Sequence, residues 1–121
     1  ALYFRAKAYL NQQADKKAMN DLQALAKDTR TLYGAEAKYL VALQLYKAHE
    51  YAAAEKEILN FIEQSTPHAY WLARSFILLS DVYVAMDKKL DARQYLLSLQ
   101  QNYHADDDIE QMINERLEKL K

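Results

Sequence analysis

Residues Ala69 to Met86 read AYWLARSFILLSDVYVAM, 18 positions that carry two charges and are long enough to cross a bilayer. Whether this is a membrane span or a helix buried by protein decides the fold. On insertion scales a charge at mid-bilayer costs about 2.5 to 3.5 kcal/mol, whereas Leu, Ile, Phe or Val each returns about 0.3 to 0.6. Leu72, Phe76, Ile77, Leu78, Leu79, Val82 and Val84 therefore recover roughly 2 to 4 kcal/mol, against an upper figure of roughly 5 to 7 for Arg74 and Asp81. The balance favours water. Seven residues at about 100° each return to within about 20° of the starting direction, so both charges lie on one stripe. A helix apolar on nearly every side, with a single polar stripe, fits the centre of a stacked bundle whose stripe faces a wet groove.

The surrounding composition fits such a bundle. The chain has 121 residues, enough for one domain with a substantial core, and 16 basic against 17 acidic side chains leave a net charge of −1. That balance provides no field for nucleic acid or an anionic membrane, and neither nucleic-acid binding nor membrane insertion is expected. Cys is absent, so disulfides and thiolate metal sites are excluded. A single Gly and a single Pro point to a nearly all-helical chain with very short connections.

Breakers and caps place helices at about 1–12, 15–28, 31–48, 51–64, 67–86, 89–102 and 107–120. Thr66 before Pro67 reads as a helix start, because Pro fits the first helical position and the Thr oxygen can accept an orphan N–H. Gly34 reads as a site of close helix contact, the alternative being a break between two shorter helical pieces. The opening ALYFRAKAYL has no capping residue, and the chain is expected to be the tail of a longer one. The final stretch, DDDIEQMINERLEKLK, sets Ile109, Met112, Ile113, Leu117 and Leu120 on one side under a charged exterior, as a terminal cap requires. Asp107 and Glu110 are read as a capping pair at its start.

A repeat lies in the spacing. Ala18, Ala54 and Ala92 recur at intervals of 36 and 38. Twelve residues before each is a small residue, Ala6, Ala42 or Ser80, and nine before is Tyr9, Leu45 or Tyr83. Leu22, Ile58 and Leu96 follow by four, and Leu25, Phe61 and Leu99 by seven. Small residues admit close helix approach, and the larger ones make an apolar stripe along the second helix of each pair.

This pattern, over about residues 1–102, resembles the tetratricopeptide repeat, a pair of antiparallel helices of about 34 residues. The intervals here are longer, Arg5 stands where a large apolar residue is usual, and the glycine of the hairpin turn is absent from AHEY and MDKK. The resemblance implies an all-α, right-handed superhelical stack of three hairpins, about 1–30, 31–66 and 67–104, closed by the helix at 107–120. KDTRTLYGAEAKYL and AYWLARSFILLSDVYV further resemble large bacterial proteins of this class associated with the cell envelope, which implies an envelope or periplasmic setting.

In that family the first helix of each pair lines a concave groove. The corresponding positions are Tyr3, Lys7 and Asn11, then Glu36, Tyr39, Leu43 and Lys47, then Arg74, Ile77 and Asp81. Aromatic and aliphatic anchors mixed with both charges suit a bound peptide or helix. The resemblance thus implies a non-enzymatic scaffold with a protein or peptide partner; the alternative is an architectural module that packs on upstream repeats or a second copy. Relatives that clamp a terminal carboxylate place Lys, Asn and Arg where this chain has Tyr3, Lys7, Leu40, Arg74 and Leu78. Only Arg74 has comparable chemistry, so no clamp is expected.

No cofactor or metal is expected either. His49, His68 and His104 lack the i, i+4 spacing of paired imidazole ligands, and the aspartates at 106–108 lack the glycine and ligand spacing of an EF-hand. A lone Gly cannot make a phosphate loop or a nucleophile elbow. The ten tyrosines are read as packing residues rather than a base-stacking platform.

Overall fold

The computed structural model describes residues 1–121 and is all-α. Seven helices run α1 (Leu2–Asn11), α2 (Asp15–Leu25), α3 (Leu32–Lys47), α4 (Tyr51–Glu63), α5 (Ala69–Ala85), α6 (Lys89–Asn102) and α7 (Ile109–Lys119). No helix is long and apolar enough to cross a membrane. The stretch that opened the question is α5, which buries Ala73, Ser75, Ile77–Ser80, Val82 and Tyr83 against its neighbours.

Consecutive helices pair as hairpins, α1 with α2, α3 with α4 and α5 with α6. All six small residues of the repeat, Ala6, Ala42, Ser80, Ala18, Ala54 and Ala92, are almost completely buried. A side chain of one carbon leaves room for the facing helix, so these positions set how closely each pair approaches. Ser80 can stand in for Ala because its hydroxyl donates to the Ile77 carbonyl at 2.6 Å and leaves no unpaired polar group in the core. Leu22, Ile58 and Leu96 fill the space beside them and are equally buried.

The turns within the hairpins repeat as well. Gln13, His49 and Asp87, which recur at the same intervals as the alanines, have φ of 59°, 62° and 61°. In each turn the next N–H reaches back to the carbonyl of Tyr9, Leu45 or Tyr83, at 2.8, 2.9 and 2.7 Å. This is the Schellman closure, which ordinarily favours glycine at the left-handed residue. The missing glycines therefore change which residue bears the left-handed strain, not the geometry of the turn.

Arg5 has a comparable explanation. It occupies the place of the buried Val41 and Leu79, and instead of filling the core it grips Asp21 of α2 with two hydrogen bonds of 2.8 and 2.7 Å. The Arg5 guanidinium holds the Asp21 carboxyl below the usual carboxylate range. An ion pair thus joins α1 to α2 where the later hairpins use apolar contact.

Some local expectations are corrected. The helix expected to start at Pro67 starts at Ala69, and the Thr66 hydroxyl donates to the Thr29 carbonyl at 2.6 Å while accepting the His68 N–H at 3.2 Å. Thr66 thereby pins the α4–α5 connection to the α2–α3 connection, and His68 adds a contact of 2.9 Å to the Arg30 carbonyl. At α7, Asp107 receives the Ile109 N–H at 3.0 Å and the Tyr103 hydroxyl at 2.6 Å, with no side-chain bond from Glu110. The second helix ends at Leu25, short of the expected 28.

Gly34 lies inside one continuous helix, and what approaches it is the preceding loop. A Cβ at this position would lie 1.8 Å from the Asp28 carbonyl oxygen, while Thr31 caps the helix by accepting the Gly34 N–H at 2.9 Å. On helix propensity alone Gly34→Ala would gain about 1 kcal/mol. The overlap with a backbone carbonyl reverses the sign, and a net loss of about 2 kcal/mol or more is expected in urea unfolding. Equal or higher stability would show that the Asp28 loop gives way freely.

Candidate partner-binding groove

The first helices form one row. Helix α3 packs on α5 and α5 on α7, whereas α2, α4 and α6 make no comparable contacts with one another. A stack whose first helices touch and whose second helices spread apart curves with the first helices inside. Helices α3, α5 and α7 thus form the inner row, which α1 joins through the side chains of Tyr3 and Lys7.

Side chains from the ten candidate positions tie the row together. Glu36 of α3 is buried and accepts from the Tyr3 hydroxyl at 3.0 Å and the Lys7 ammonium at 3.0 Å, both from α1. Burial, and then the Glu36 carboxylate, pushes the Tyr3 phenol up, and the hydrogen bond to Glu36 raises Lys7. Both groups keep their protons at neutral pH. Arg74 of α5 donates to Tyr39 of α3 at 3.2 Å and to Tyr70 at 2.9 Å, with its guanidinium 5.2 Å from the Tyr39 ring centre. Asp81 of α5 takes a two-pronged hydrogen bond from Arg116 of α7, at 2.8 and 3.0 Å. The outer two links are pairs of a cation with a carboxylate, and the middle one sets a guanidinium among tyrosines.

The remaining candidates divide. Ile77 is only 1% exposed and packs with Ala73, Leu96, Leu99, Ile109 and Ile113, so it belongs to the core that seats α7 and does not line a groove. Leu43 is half-buried, and Asn11 and Lys47 are exposed. The structure therefore brings Tyr3, Lys7 and Glu36 together, joins Tyr39 to Arg74, and places Asp81 against a residue outside the candidate set. No group of three or more His, Asp or Glu side chains stands where it could hold a metal ion.

A cleft of about 510 Å³ lies between α5, α6 and α7, with Tyr46 of α3 at its edge. Tyr46, Asp81, Val84, Lys89, Arg116 and Lys119 are among its lining residues. Val84 is 41% exposed, which leaves a branched apolar side chain facing solvent beside the half-buried Tyr46 ring. Asp81 and Arg116 neutralise one another across its wall, while Lys89 and Lys119 form no salt bridge. The cleft combines an apolar floor with two cations, Lys89 and Lys119, and one carboxylate, Glu115, none of them in a salt bridge.

Tyr46, Val84 and Arg116 lie outside the candidate set. Tyr46 and Val84 are separated by the same interval as Ala54 and Ala92, and each immediately precedes the position of Lys47 or its equivalent Ala85. That interval is the signal that could have found those two. For Arg116 no spacing pairs it with Asp81, because α7 lies outside the three-unit pattern. No family model matches the chain, and neither a curated protein nor a solved structure matches it.

The Asp81–Arg116 pair is partly shielded from water on both sides, with each side chain about a quarter exposed (26% and 27%). Two charge-assisted bonds in that setting exceed an ordinary surface pair. A double-mutant cycle with Asp81→Asn and Arg116→Gln is expected to give a coupling of about 1 to 2 kcal/mol in chemical unfolding. A coupling near zero would mean that α7 is held by its apolar face alone.

Proposed function

We propose that this chain is a non-enzymatic protein-interaction scaffold of tetratricopeptide type, and that the inner row receives a peptide or helical segment of a partner protein. The observation that carries this reading is the cleft between α5, α6 and α7, edged by Tyr46 of α3, in which the apolar side chain of Val84 remains exposed. An apolar side chain of the partner would pack on Val84 and Tyr46. Carboxylates beside it would meet Lys89 and Lys119, and so fix its register.

The kinship is supported by the burial of all six small residues at intervals of 36 and 38 and by three identical hairpin closures at the same intervals. A binding role is supported by how the row is built. Its ion pairs and tyrosine contacts join neighbouring helices, so the surface is preorganised and a ligand need not order it.

Peptides selected from a random displayed library on the immobilised chain provide the test. Burying a Val-sized anchor is worth about 1.5 to 3 kcal/mol. Val84→Glu is therefore expected to weaken the selected peptides about tenfold or more, with helix content and melting temperature retained. Lys119→Glu is expected to weaken the acidic members of the set. Selected peptides that bind Val84→Glu as tightly as the parent chain would refute the cleft as the docking place.

A further inference from the structure

Glu36 and Arg74 occupy the same place in α3 and α5, one repeat apart, and each turns toward the first helix before it. Glu36 meets Tyr3 and Lys7 of α1, and Arg74 meets Tyr39 of α3. Leu40 and Leu78 stand one turn further on the same face, so they too point toward the preceding hairpin. Their exposures are 9% and 3%. Phe4 holds the equivalent place in α1, one repeat before Leu40, and is 66% exposed.

Phe4 is not isolated. Its ring stands edge-on to Tyr3 at 5.2 Å, Tyr33 stacks on Tyr3 at 4.1 Å, and Leu2 and Leu32 are exposed close by in sequence. An apolar and aromatic patch therefore occupies one end of the stack. In α3 and α5 the corresponding face is covered by the hairpin before it.

We propose that the Phe4 face of α1 is a stacking face that takes one further helical hairpin of the same build, seated on α1 as α1–α2 is seated on α3. The occupant presents an aromatic or aliphatic residue of its first helix, in the place of Tyr39 and Leu43, over Phe4. Register supports this occupant over a second copy of the chain docked end to end. The far end of the stack is α7, whose outward positions Glu110, Gln111, Asn114 and Glu118 are exposed and polar. Setting that surface on Phe4 would desolvate charges against an aromatic ring.

The register also dictates the test. A copy of residues 31–74 joined ahead of Ala1 brings a hairpin and the start of α5 into α1 with no break in the repeat, so that Phe4 falls where Leu78 falls. Thermal melts compare Phe4→Ala in the extended and parent chains. The extended chain is expected to melt higher than the parent. Phe4→Ala is expected to lower its midpoint by at least about 6 °C, against less than about 2 °C in the parent. An extended chain that fails to fold or gains no thermal stability overturns the proposal, as does an equal Phe4→Ala effect in both chains. A parent chain that forms a dimer in sedimentation, abolished by Phe4→Asp, also overturns it and assigns the face to a second copy. None of these outcomes depends on the cleft at Val84, so this face and the peptide site stand or fall separately.

Discussion

The structure depends on close helix approach at six small residues. Ala6, Ala42 and Ser80 in the first helices, and Ala18, Ala54 and Ala92 in the second, have almost no surface left for water. Where the crossing is closed by a single carbon, the larger neighbours at Leu22, Ile58 and Leu96 can meet across it, and apolar burial then stabilises the pair. The short turns follow from that closeness. Helices so near to each other must be joined by a tight connection, and the left-handed residues Gln13, His49 and Asp87 allow it.

Close pairing has a consequence on the inner side. The first helices come near enough for side chains to bridge them, through a buried carboxylate between α1 and α3, a guanidinium among tyrosines between α3 and α5, and an ion pair between α5 and α7. Charges that read as groove-lining in the sequence are therefore largely spent within the protein. What they leave is a small opening at Val84 and Tyr46. In the proposed reading, side chains already paired in this way lower the ordering cost of binding a partner segment.

The helices are legible in the sequence because their signals are local. Short connections, scarce breakers and apolar periodicity locate all seven, with starts and ends close to the observed ones. The misplacements have physical causes. Thr66 reads as a cap for its own helix, yet its hydroxyl serves the Thr29 carbonyl, a partner 37 residues away. Gly34 reads as a helix-helix contact, whereas a loop carbonyl packs against it. The site is less legible than the fold. Spacing places Glu36, Tyr39, Arg74 and Asp81 on the inner row, but it cannot tell which are consumed by neighbours, because that depends on pairs such as Asp81 with Arg116 that no periodicity encodes. Ile77 illustrates the limit, since the addition of α7 turns a groove position into core.

The most direct measurement of the central claim contrasts two adjacent alanines of α4. Ala53 is exposed and Ala54 is fully buried at the crossing with α3, although helix propensity treats them alike. Urea unfolding of Ala53→Leu and Ala54→Leu would isolate the effect of helix approach. Leucine at 53 is expected to leave stability within about 0.5 kcal/mol, whereas leucine at 54 is expected to cost about 3 kcal/mol or to prevent folding. Similar stabilities for the two variants would contradict the claim that close approach at the small residues holds the stack together.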